Sequence, residues 1–457
     1  MTEVTADALI LFGISGDLAR KKLFAALYDL TAQGDLDMPV IGVASSAWDD
    51  ETLRDRARQA LEEGGEPVDD EVFARLAANL CYVAGDYRDA ATYQQIADRA
   101  SGAERTVSYL AIPPDLFDDV VQGLASVGLN RRGRVVLEKP FGRNRESAAE
   151  LNEIVHNAFP EERVYRIDHF LGKEAVQNLM IFRFSNTVLE PVWNRHYVRG
   201  VQITLAEEFG VEGRGSFYEE VGTLRDVVQN HLLQVLALLA MEPPVSEHPD
   251  ALRDERVKIF RAIETLTPDD VVRGQYIGYR DEPGVAADSD TETFAAIRLE
   301  VDSWWWAGVP WIIRAGKGMA STVTEAVVEF ARPPRPLFAD AECRPDPNRL
   351  TFRTKPNEEI TLSMQAKTPG PAMVSGPIEL HLEHDRVPGR DAYDRLIGDA
   401  LRGDPGLFAR QDGVMEAWRV VDRVLTDRGQ AWPYPVGSWG PGEADAVLGS
   451  DWTWATA

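Results

Sequence analysis

Residues 7–30 read DALILFGISGDLARKKLFAALYDL and tell more about the architecture than any other stretch of the chain. The apolar run at the start predicts a β-strand, and the glycines that follow predict a tight turn. Leu23, Ala26, Leu27 and Leu30 then recur at helical spacing. The stretch therefore predicts a strand, a turn and a helix in direct succession.

Strand and helix patterns go on alternating after this first unit. Apolar runs predict four more strands, at 39–44, 81–86, 106–114 and 134–142, and helical patterns lie between most of them. Such alternation is typical of a parallel sheet with helices on both faces. We therefore predict a Rossmann-like N-terminal domain at residues 1–175.

The pattern changes after this point. Helical stretches remain, including 172–183 and 218–241. Strand patterns now dominate, and they lie at 198–209, 292–302, 325–332, 349–354 and 358–367. Because no long helix separates the last four, they predict an antiparallel sheet. The predicted fold class is α/β plus α+β, with a larger C-terminal α+β domain at residues 176–457.

Composition and charge exclude several classes of protein. The chain has 457 residues, 44% of them hydrophobic and 27% charged, which is typical of a globular protein and not of a disordered one. The formal net charge of −26 argues against a nucleic-acid partner. No apolar run predicts a membrane helix or a secretory signal. Two cysteines, Cys81 and Cys343, support neither a disulfide framework nor a metal site. We expect a cytoplasmic protein.

The turn after the first strand has the chemistry of a phosphate-binding loop. Gly13 and Gly16 would let the backbone approach a pyrophosphate, and the following helix would supply N–H groups and a positive dipole end. The spacing is GxxGxxA and not GxGxxG, so a tight turn without a ligand is the alternative. After the second strand, where a carboxylate suits NAD and an arginine suits NADP, the chain has Ser45. The choice of cofactor is therefore open.

The segment RIDHFLGKE, residues 166–174, concentrates charged groups. If a helix begins near His169, then His169 and Lys173 lie one turn apart at its positive end and form a phosphate cradle. The alternative is an exposed, charged start of a helix.

His231 lies on or beside an apolar stripe of the predicted helix 218–241. A histidine in this position is either a hydrogen-bonded core residue or, if a carboxylate holds one ring nitrogen, a general base. Asp226 is five positions away, about 140° around a regular helix. We therefore prefer Asp168 as the partner of His231.

Six segments resemble the glucose-6-phosphate dehydrogenase family, in the family's order and over nearly the whole chain. They are GISGDLARKKL (13–23), YLAIPP (109–114), EKPFG (138–142), RIDHFLGKE (166–174), RDVVQNHLLQ (225–234) and GVPWIIRAGK (308–317). The resemblance implies oxidation of D-glucose 6-phosphate at C1 to 6-phosphoglucono-lactone, with hydride transfer to NADP or NAD. This reaction is the first step of the oxidative pentose phosphate pathway.

The resemblance also implies roles for the matching residues. His231 matches the base that takes the proton of the C1 hydroxyl, and Asp168 matches the carboxylate that orients this base. The implied substrate-binding residues are His169, Lys173, Lys139, Glu207, Asp226 and Lys317. The implied cofactor-binding residues are Gly13, Ser15, Gly16, Asp17, Leu18, Lys22, Ser45, Asp86, Tyr109 and Lys139.

Two positions depart from the family pattern. NADP-using members have an arginine where this chain has Ser45, which makes NAD a second candidate beside NADP. Many members also have a second basic residue a few positions after Lys317, near Thr322 of this chain, which implies weaker binding or a different sugar phosphate. The resemblance further implies an active site between the domains, and a homodimer or homotetramer formed through the C-terminal sheet.

Two other functions stay open at this point. The first is a sugar oxidoreductase of the glucose–fructose oxidoreductase type, which also uses an EKP lysine, although RIDHFLGKE and the histidine of QNHLLQ argue against it. The second is a sensor that binds cofactor or phosphosugar without turnover. A positioned base argues against a sensor, which has no need of one.

Overall fold

The computed structural model describes residues 5–65, 67–335, 337, 346–382, 392–450 and 452–456. The chain divides into two compact units. The first unit comprises Met1–Glu174, Pro244–Asp254 and Pro388–Met415, and the second comprises Ala175–Pro243, Glu255–Val387 and Glu416–Ala457. The predicted domain boundary between residues 175 and 176 stays a prediction. Cys81 is half-buried, and Cys343 lies outside the described residues.

Up to residue 174, strands and helices alternate as predicted. The strands are β1 Ala8–Phe12, β2 Val40–Ala44, β3 Leu80–Ala84, β4 Thr106–Leu110, β5 Arg134–Leu137 and β6 Val164–Arg166. The α-helices are α1 Phe24–Gln33, α2 Asp50–Glu63, α3 Asp70–Asn79, α4 Ala90–Arg99, α5 Phe117–Ser126 and α6 Arg145–His156. A π-helical segment, Ala19–Leu23, leads into α1, and 3-10 turns lie at Pro114–Leu116 and Glu161–Arg163.

The remaining elements include more strands than α-helices. The strands are β7 Val198–Ala206, β8 Val271–Tyr276, β9 Phe294–Glu300, β10 Pro310–Gly316, β11 Val323–Phe330, β12 Arg349–Lys355, β13 Glu359–Lys367, β14 Ser375–Leu382 and β15 Ala431–Tyr434. The α-helices are α7 Glu174–Phe184, α8 Gly215–Thr223, α9 Leu233–Ala240, α10 Pro249–Ala262, α11 Ala392–Arg402 and α12 Gln411–Thr426. A second π-helical segment is Leu224–Leu232, and 3-10 turns lie at Glu190–Val192, Pro268–Asp270, Tyr279–Asp281 and Gly442–Val447. Within the described residues, no helix combines the length and the apolar sequence that a membrane span requires.

The first unit is built on a six-stranded sheet in the order β3-β2-β1-β4-β5-β6, and every pair in it is parallel. Strands β1, β2 and β4 are buried along their whole length, as expected for central strands with helices on both faces. One core lies between the sheet and α1, α2, α3 and α11, and another lies between the sheet and α4, α5 and α6. The predicted Rossmann-like sheet is confirmed, and the sequence patterns missed only its short sixth strand.

The second unit contains a nine-stranded sheet in the order β14-β13-β12-β11-β7-β10-β9-β8-β15. Most of its pairs are antiparallel as predicted, but β10 pairs with β7 and β15 pairs with β8 in parallel. Our strand prediction missed β8, β10, β14 and β15. Strand β14 is largely exposed, and β15 has only four residues and contains Pro433, so neither shows a clear strand pattern.

The single helix predicted at 218–241 is wrong in detail. Gly222, with φ of +66°, breaks the helical conformation near the end of α8, and the chain then continues as the π-helical segment Leu224–Leu232 before α9 begins. A Cβ on Gly222 would lie 2.5 Å from Oε1 of Glu292, so the turn at this point is packed against a buried carboxylate. The break in the helix changes which side chains share a face.

Candidate active site

The first unit brings most of the predicted site residues to one edge of its sheet. All six strands are parallel, so their carboxyl ends lie on the same side, which is where open α/β sheets bind ligands. Gly13 follows β1, Ser45 follows β2, Asp86 follows β3 by one residue, and Lys139 and Asp168 come shortly after β5 and β6. The topology therefore places the predicted cofactor residues beside Lys139 and Asp168.

The glycine turn is held in a conformation that only glycine accepts. Gly13 has φ of +80°, and a Cβ there would lie 2.2 Å from the carbonyl oxygen of Ala111, the residue after β4. Gly16 N–H donates to Gly13 O at 2.9 Å, and Arg20 N–H donates to Gly16 O at 3.2 Å. The helical run therefore starts at the turn, and its first N–H groups are directed toward it.

These residues fit the pyrophosphate of a nicotinamide dinucleotide. Gly16 and Asp17 are exposed and Ser15 is half-buried, so the turn is open to a ligand on this side. Lys21 Nζ lies 3.3 Å from a carboxylate oxygen of Asp17, and Arg20 lies 3.7 Å from the other, which offsets the negative charge at the start of the helix. Leu18 is half-buried and Lys22 is exposed in the same run.

Two residues of this edge were missed by the sequence analysis. The hydroxyl of Tyr87 accepts a hydrogen bond from Gly13 N–H at 3.0 Å and donates to Val43 O at 3.2 Å. The hydroxyl of Ser46 donates to the hydroxyl of Ser15 at 3.0 Å, which ties the end of β2 to the turn. Tyr87 directly follows Asp86, but no local pattern indicates which turn it supports, because its partners are more than 40 residues away.

Residues 45–48, which follow β2, include no arginine. Ser45 is exposed, and the Arg20 guanidinium of the π-helical segment lies 3.1 Å from a carboxylate oxygen of Glu63. Asp86 accepts a hydrogen bond from Arg88 N–H at 2.9 Å and so caps its own turn. A role for Ser45 and Asp86 in binding cofactor stays a prediction.

Tyr109 and Glu138 form a buried pair beneath Lys139. Tyr109 has no exposed surface, and its hydroxyl donates to the Glu138 carboxylate. Burial raises the pKa of Glu138 to about 7, although the Tyr109 hydrogen bond and the charge of Lys139 act in the opposite sense. Glu138 was missed because a glutamate beside a lysine in sequence gives no sign of burial. Cofactor contact at Tyr109 stays a prediction.

The expectation that a helix begins near His169 is wrong, because α7 begins at Glu174 and residues 169–173 form turns. Asp168 Oδ1 accepts from Phe170 N–H at 3.0 Å, which fixes the start of these turns. Lys173 Nζ lies 3.4 Å from the centre of the Phe170 ring. His169 and Lys173 are thus placed by the turns and by Phe170, and not by one turn of helix.

Helix α11 supports this segment from beneath. The ring of Tyr393 stacks on His169, with the planes 8° apart and the centres 6.3 Å apart. A Cβ on Gly172 would lie 2.9 Å from Ala392 O, so the segment and the helix are in close contact. The sequence analysis missed Tyr393, which is separated from His169 by more than 200 residues.

In the second unit, Glu207 and Lys317 form an ion pair. They directly follow β7 and β10, which are parallel neighbours paired to their last residues, Ala206 and Gly316. Lys317 Nζ lies 2.6 Å from Glu207 Oε2, and the two side chains are 12% and 21% exposed. Each side chain therefore holds the other in place. The structure brings these two predicted substrate-binding residues together, and their role in binding substrate stays a prediction.

The backbone around this ion pair is fixed by hydrogen bonds. Lys317 N–H donates to Thr293 O at 2.9 Å, and the Tyr434 hydroxyl donates to Lys317 O at 2.7 Å. Thr322, near the position where many family members have a basic residue, accepts at its hydroxyl oxygen from Glu208 N–H at 3.1 Å. Thr322 thus supports the residue next to Glu207.

His231 lies in the π-helical segment and is 3% exposed. In a π-helix the backbone bonds join residues five apart, so Asp226 and His231 lie about one turn apart on the same side. Our reason for setting Asp226 aside, an angle of about 140° on a regular α-helix, is therefore wrong. The side chain of Tyr218 also lies near, because the charge of Asp226 adds to burial in raising the pKa of Tyr218.

A buried ion pair fixes the start of this segment. Glu292 Oε1 accepts from Leu224 N–H at 3.1 Å, and Glu292 also pairs with the guanidinium of Arg273. Both charged side chains are less than 5% exposed. The Tyr218 hydroxyl and the Thr223 hydroxyl are 2.8 Å apart beside them. The contact of Glu292 with Leu224 is not visible in sequence, because the two residues are 68 positions apart.

Comparisons with known proteins give one consistent answer. The family model described as the NAD binding domain of glucose-6-phosphate dehydrogenase matches residues 10–178, and the model for the C-terminal domain of glucose-6-phosphate dehydrogenase matches residues 180–455. The chain is 44% identical over 449 residues to glucose-6-phosphate 1-dehydrogenase 1 of Mycobacterium tuberculosis, which covers 97% of this chain and 95% of that protein.

Two solved structures share the whole fold. The crystal structure of glucose-6-phosphate 1-dehydrogenase from Mycobacterium avium superposes with a TM-score of 0.92 and is 44% identical, with 99% of both chains covered. A glucose-6-phosphate dehydrogenase in complex with its substrate glucose-6-phosphate gives a TM-score of 0.91 at 36% identity, with 100% of both chains covered.

We expect Gly13→Ala to lower stability and dinucleotide binding far more than Gly34→Ala. Both glycines have φ of +80°, so both substitutions carry the same left-handed backbone cost of roughly 1–2 kcal/mol. Only at Gly13 would the new Cβ lie 2.2 Å from a carbonyl oxygen, since nothing lies within 4 Å of a Cβ on Gly34. Urea unfolding and dinucleotide titration measure both losses. Equal losses would show that the contact with Ala111 does not constrain the turn.

Proposed function

The chain belongs to the glucose-6-phosphate dehydrogenase family, and from that premise we propose how it oxidises glucose 6-phosphate at C1 to 6-phosphoglucono-lactone. The reaction is the first step of the oxidative pentose phosphate pathway. The two family models match consecutive parts of the chain, residues 10–178 and 180–455. This match is the main support for the proposal. The nicotinamide, when bound, accepts the hydride that leaves C1.

His231 is the general base of the proposed reaction. Oxidation of the C1 hydroxyl releases a proton as well as a hydride, and a buried imidazole near neutrality can take that proton. Asp168 holds one ring nitrogen of His231 and stabilises the charged imidazole. Each of the two residues is buried, which supports this assignment, because a charge interaction is stronger where water is excluded.

The sugar phosphate is bound by the ammonium group of Lys173 and a ring N–H of His169, which anchor the end of the sugar that does not react. Lys139, Glu207, Asp226 and Lys317 complete the substrate contacts. The phosphate contributes binding energy that orients C1 for the reaction. The ion pair of Glu207 with Lys317 supports this role, since it holds both groups in a fixed geometry before substrate arrives.

The cofactor is a nicotinamide dinucleotide, and the finer choice between NADP and NAD is proposed as follows. The pyrophosphate lies on the turn of Gly13, Ser15, Gly16, Asp17 and Leu18, with Lys22, Asp86, Tyr109 and Lys139 as the further predicted contacts. Ser45 stands where an arginine would pair with the 2′-phosphate of NADP. We propose that the chain uses NADP with less preference over NAD than members with that arginine.

A cytoplasmic location and a homodimer or homotetramer stay predictions. A relative from Arabidopsis thaliana, 38% identical over 476 residues, is named as a cytoplasmic glucose-6-phosphate 1-dehydrogenase, which supports the first. The alternative of a sensor without turnover differs from the proposal in whether the chain reduces the nicotinamide cofactor. A chain that produces reduced nicotinamide from glucose 6-phosphate is an enzyme and not a sensor.

The first test is the absorbance of reduced nicotinamide with glucose 6-phosphate, run in parallel with NADP and NAD. We expect turnover with both, and we expect Ser45→Arg to raise the ratio of kcat/KM for NADP to that for NAD by about tenfold or more, because a guanidinium pairs with the 2′-phosphate. Ser101→Arg adds the same charge on an exposed turn after α4 and is the control. An unchanged ratio in Ser45→Arg would place the 2′-phosphate elsewhere, and no turnover with either cofactor would contradict the proposed reaction.

We expect His231→Asn to lower kcat by about 10²–10⁴-fold and to leave substrate affinity nearly unchanged, because asparagine cannot accept the proton. Steady-state kinetics and substrate titration separate the two effects. His248→Asn changes an exposed histidine and should keep full activity. A wild-type rate in His231→Asn would remove His231 as the base.

We expect Lys173→Ala to raise KM for glucose 6-phosphate by about tenfold or more, because a charged hydrogen bond to the phosphate is lost. Activity with glucose, which has no phosphate, should change little in the same variant. Lys258→Ala removes an exposed lysine that pairs with Glu242 and serves as the control. If the activities with both sugars fall equally, Lys173 does not bind the phosphate.

A further inference from the structure

An open depression of about 670 Å³ in the second unit is lined by four basic side chains. They are Arg195, His196, Arg199 and Arg332. The depression lies at the start of β7 and β10 and at the end of β11, and the backbone of Ala307 and Gly308 forms another part of its wall. The chain as a whole carries a net charge of −26, so a concentration of positive charge at one place is unusual for it.

Three of the four basic side chains are exposed. Arg195, His196 and Arg332 are exposed, and their side chains make no hydrogen bond or ion pair with the described residues. Arg199 pairs with Glu329, but the same carboxylate also pairs with Arg349 at 3.0 Å. The described residues that line the depression include no acidic side chain, so its lining is positively charged.

The backbone that carries these side chains is held in place. Arg195 N–H donates to Trp305 O at 2.8 Å, and His196 N–H donates to the side chain of Asn194 at 3.0 Å. Ala331 N–H, next to Arg332, donates to Tyr197 O at 2.6 Å. The starting points of the long side chains are therefore fixed, which lowers the entropy that binding would cost.

The turn that contributes Ala307 and Gly308 to the wall also offers open space and carries an exposed aromatic ring. Gly308 has φ of +81°, and nothing lies within 4 Å of the position where a Cβ would be. Trp304, in the same turn as Ala307 and Gly308, is 91% exposed. Guanidiniums bind the phosphates of a nucleotide, and an exposed indole in the turn that forms part of the wall can bind its base.

The depression is far from the ion pair of Glu207 with Lys317. Arg199 lies near the start of β7, and Glu207 directly follows the end of the same strand. Eight residues of extended chain span about 26 Å, at about 3.3 Å per residue. The basic depression and the predicted substrate residues of the second unit therefore lie at opposite ends of the same strands.

We propose that this depression is a second ligand site, which binds a nucleoside polyphosphate through Arg195, Arg199, Arg332 and His196, with the base against Trp304. The planar guanidiniums suit the bidentate recognition of phosphate oxygens. The site does not depend on the proposed dehydrogenase reaction, because none of its residues is assigned to substrate or cofactor.

Isothermal titration of the full chain with ATP, inorganic tripolyphosphate and adenosine tests the site. We expect ATP and tripolyphosphate to bind, adenosine to bind much more weakly, and the double variant Arg195→Ala/Arg332→Ala to weaken both polyanions by about tenfold or more. Arg75→Ala removes an exposed arginine of α3 in the first unit and should leave both affinities unchanged. Trp304→Ala should weaken ATP and spare tripolyphosphate.

Other outcomes would overturn the proposal. If ATP binds only at the predicted dinucleotide site, the double variant will bind it as tightly as the unsubstituted chain does. An unchanged affinity for ATP in the double variant would therefore contradict the proposed site. Absence of binding to the unsubstituted chain would remove the site altogether. An unchanged affinity for ATP in Trp304→Ala would show that Trp304 does not bind the base, and the proposed ligand would then be a polyphosphate without a nucleoside. Both arginines are exposed, so thermal unfolding and dehydrogenase activity of the double variant should match those of the unsubstituted chain and show that it is folded.

Discussion

The backbone of Gly13 passes the carbonyl oxygen of Ala111 so closely that a Cβ would lie 2.2 Å from it. This contact joins the turn after β1 to the end of β4, and the Gly13 N–H donates to Tyr87 and to Val43 at the ends of neighbouring strands. The position of the glycine turn therefore follows from the packing of three strands around β1. The other groups at this edge, including Lys139 and Asp168, are placed by the same parallel register.

In the second unit, a buried ion pair fixes the position of the backbone that carries predicted site residues. Glu292 and Arg273 are nearly inaccessible to solvent, and Glu292 accepts the Leu224 N–H at the first residue of the π-helical segment. The segment contains Asp226 and His231, so a carboxylate remote from both sets the start of the helix that carries them. Removing one partner of such a buried pair would leave an uncompensated charge at the start of the segment.

Positive charge is unevenly distributed in this acidic chain. Lysines and arginines are found at different kinds of predicted binding site. The chain has eight lysines, and Lys22, Lys139, Lys173 and Lys317 are four of them, all at predicted site positions. The basic depression at the start of β7 contains arginines and no lysine. A lysine is a compact, movable charge that suits a reacting ligand, whereas the planar fork of arginine suits the fixed recognition of an anion.

Local patterns were sufficient to predict the alternation of strands and helices around Gly13, the mostly antiparallel second sheet and the residues that carry the family resemblance. These are properties of consecutive residues, such as periodicity, turn glycines and motif spacing. The predicted helix at His169 and the α-helical angle between Asp226 and His231 were wrong, because turns and a π-helix replace regular α-helix there. Tyr87, Tyr393, Glu138 and Glu292 could not be found from sequence. Their partners or their burial depend on residues far away in the chain, and only the packing of the folded units brings those residues together.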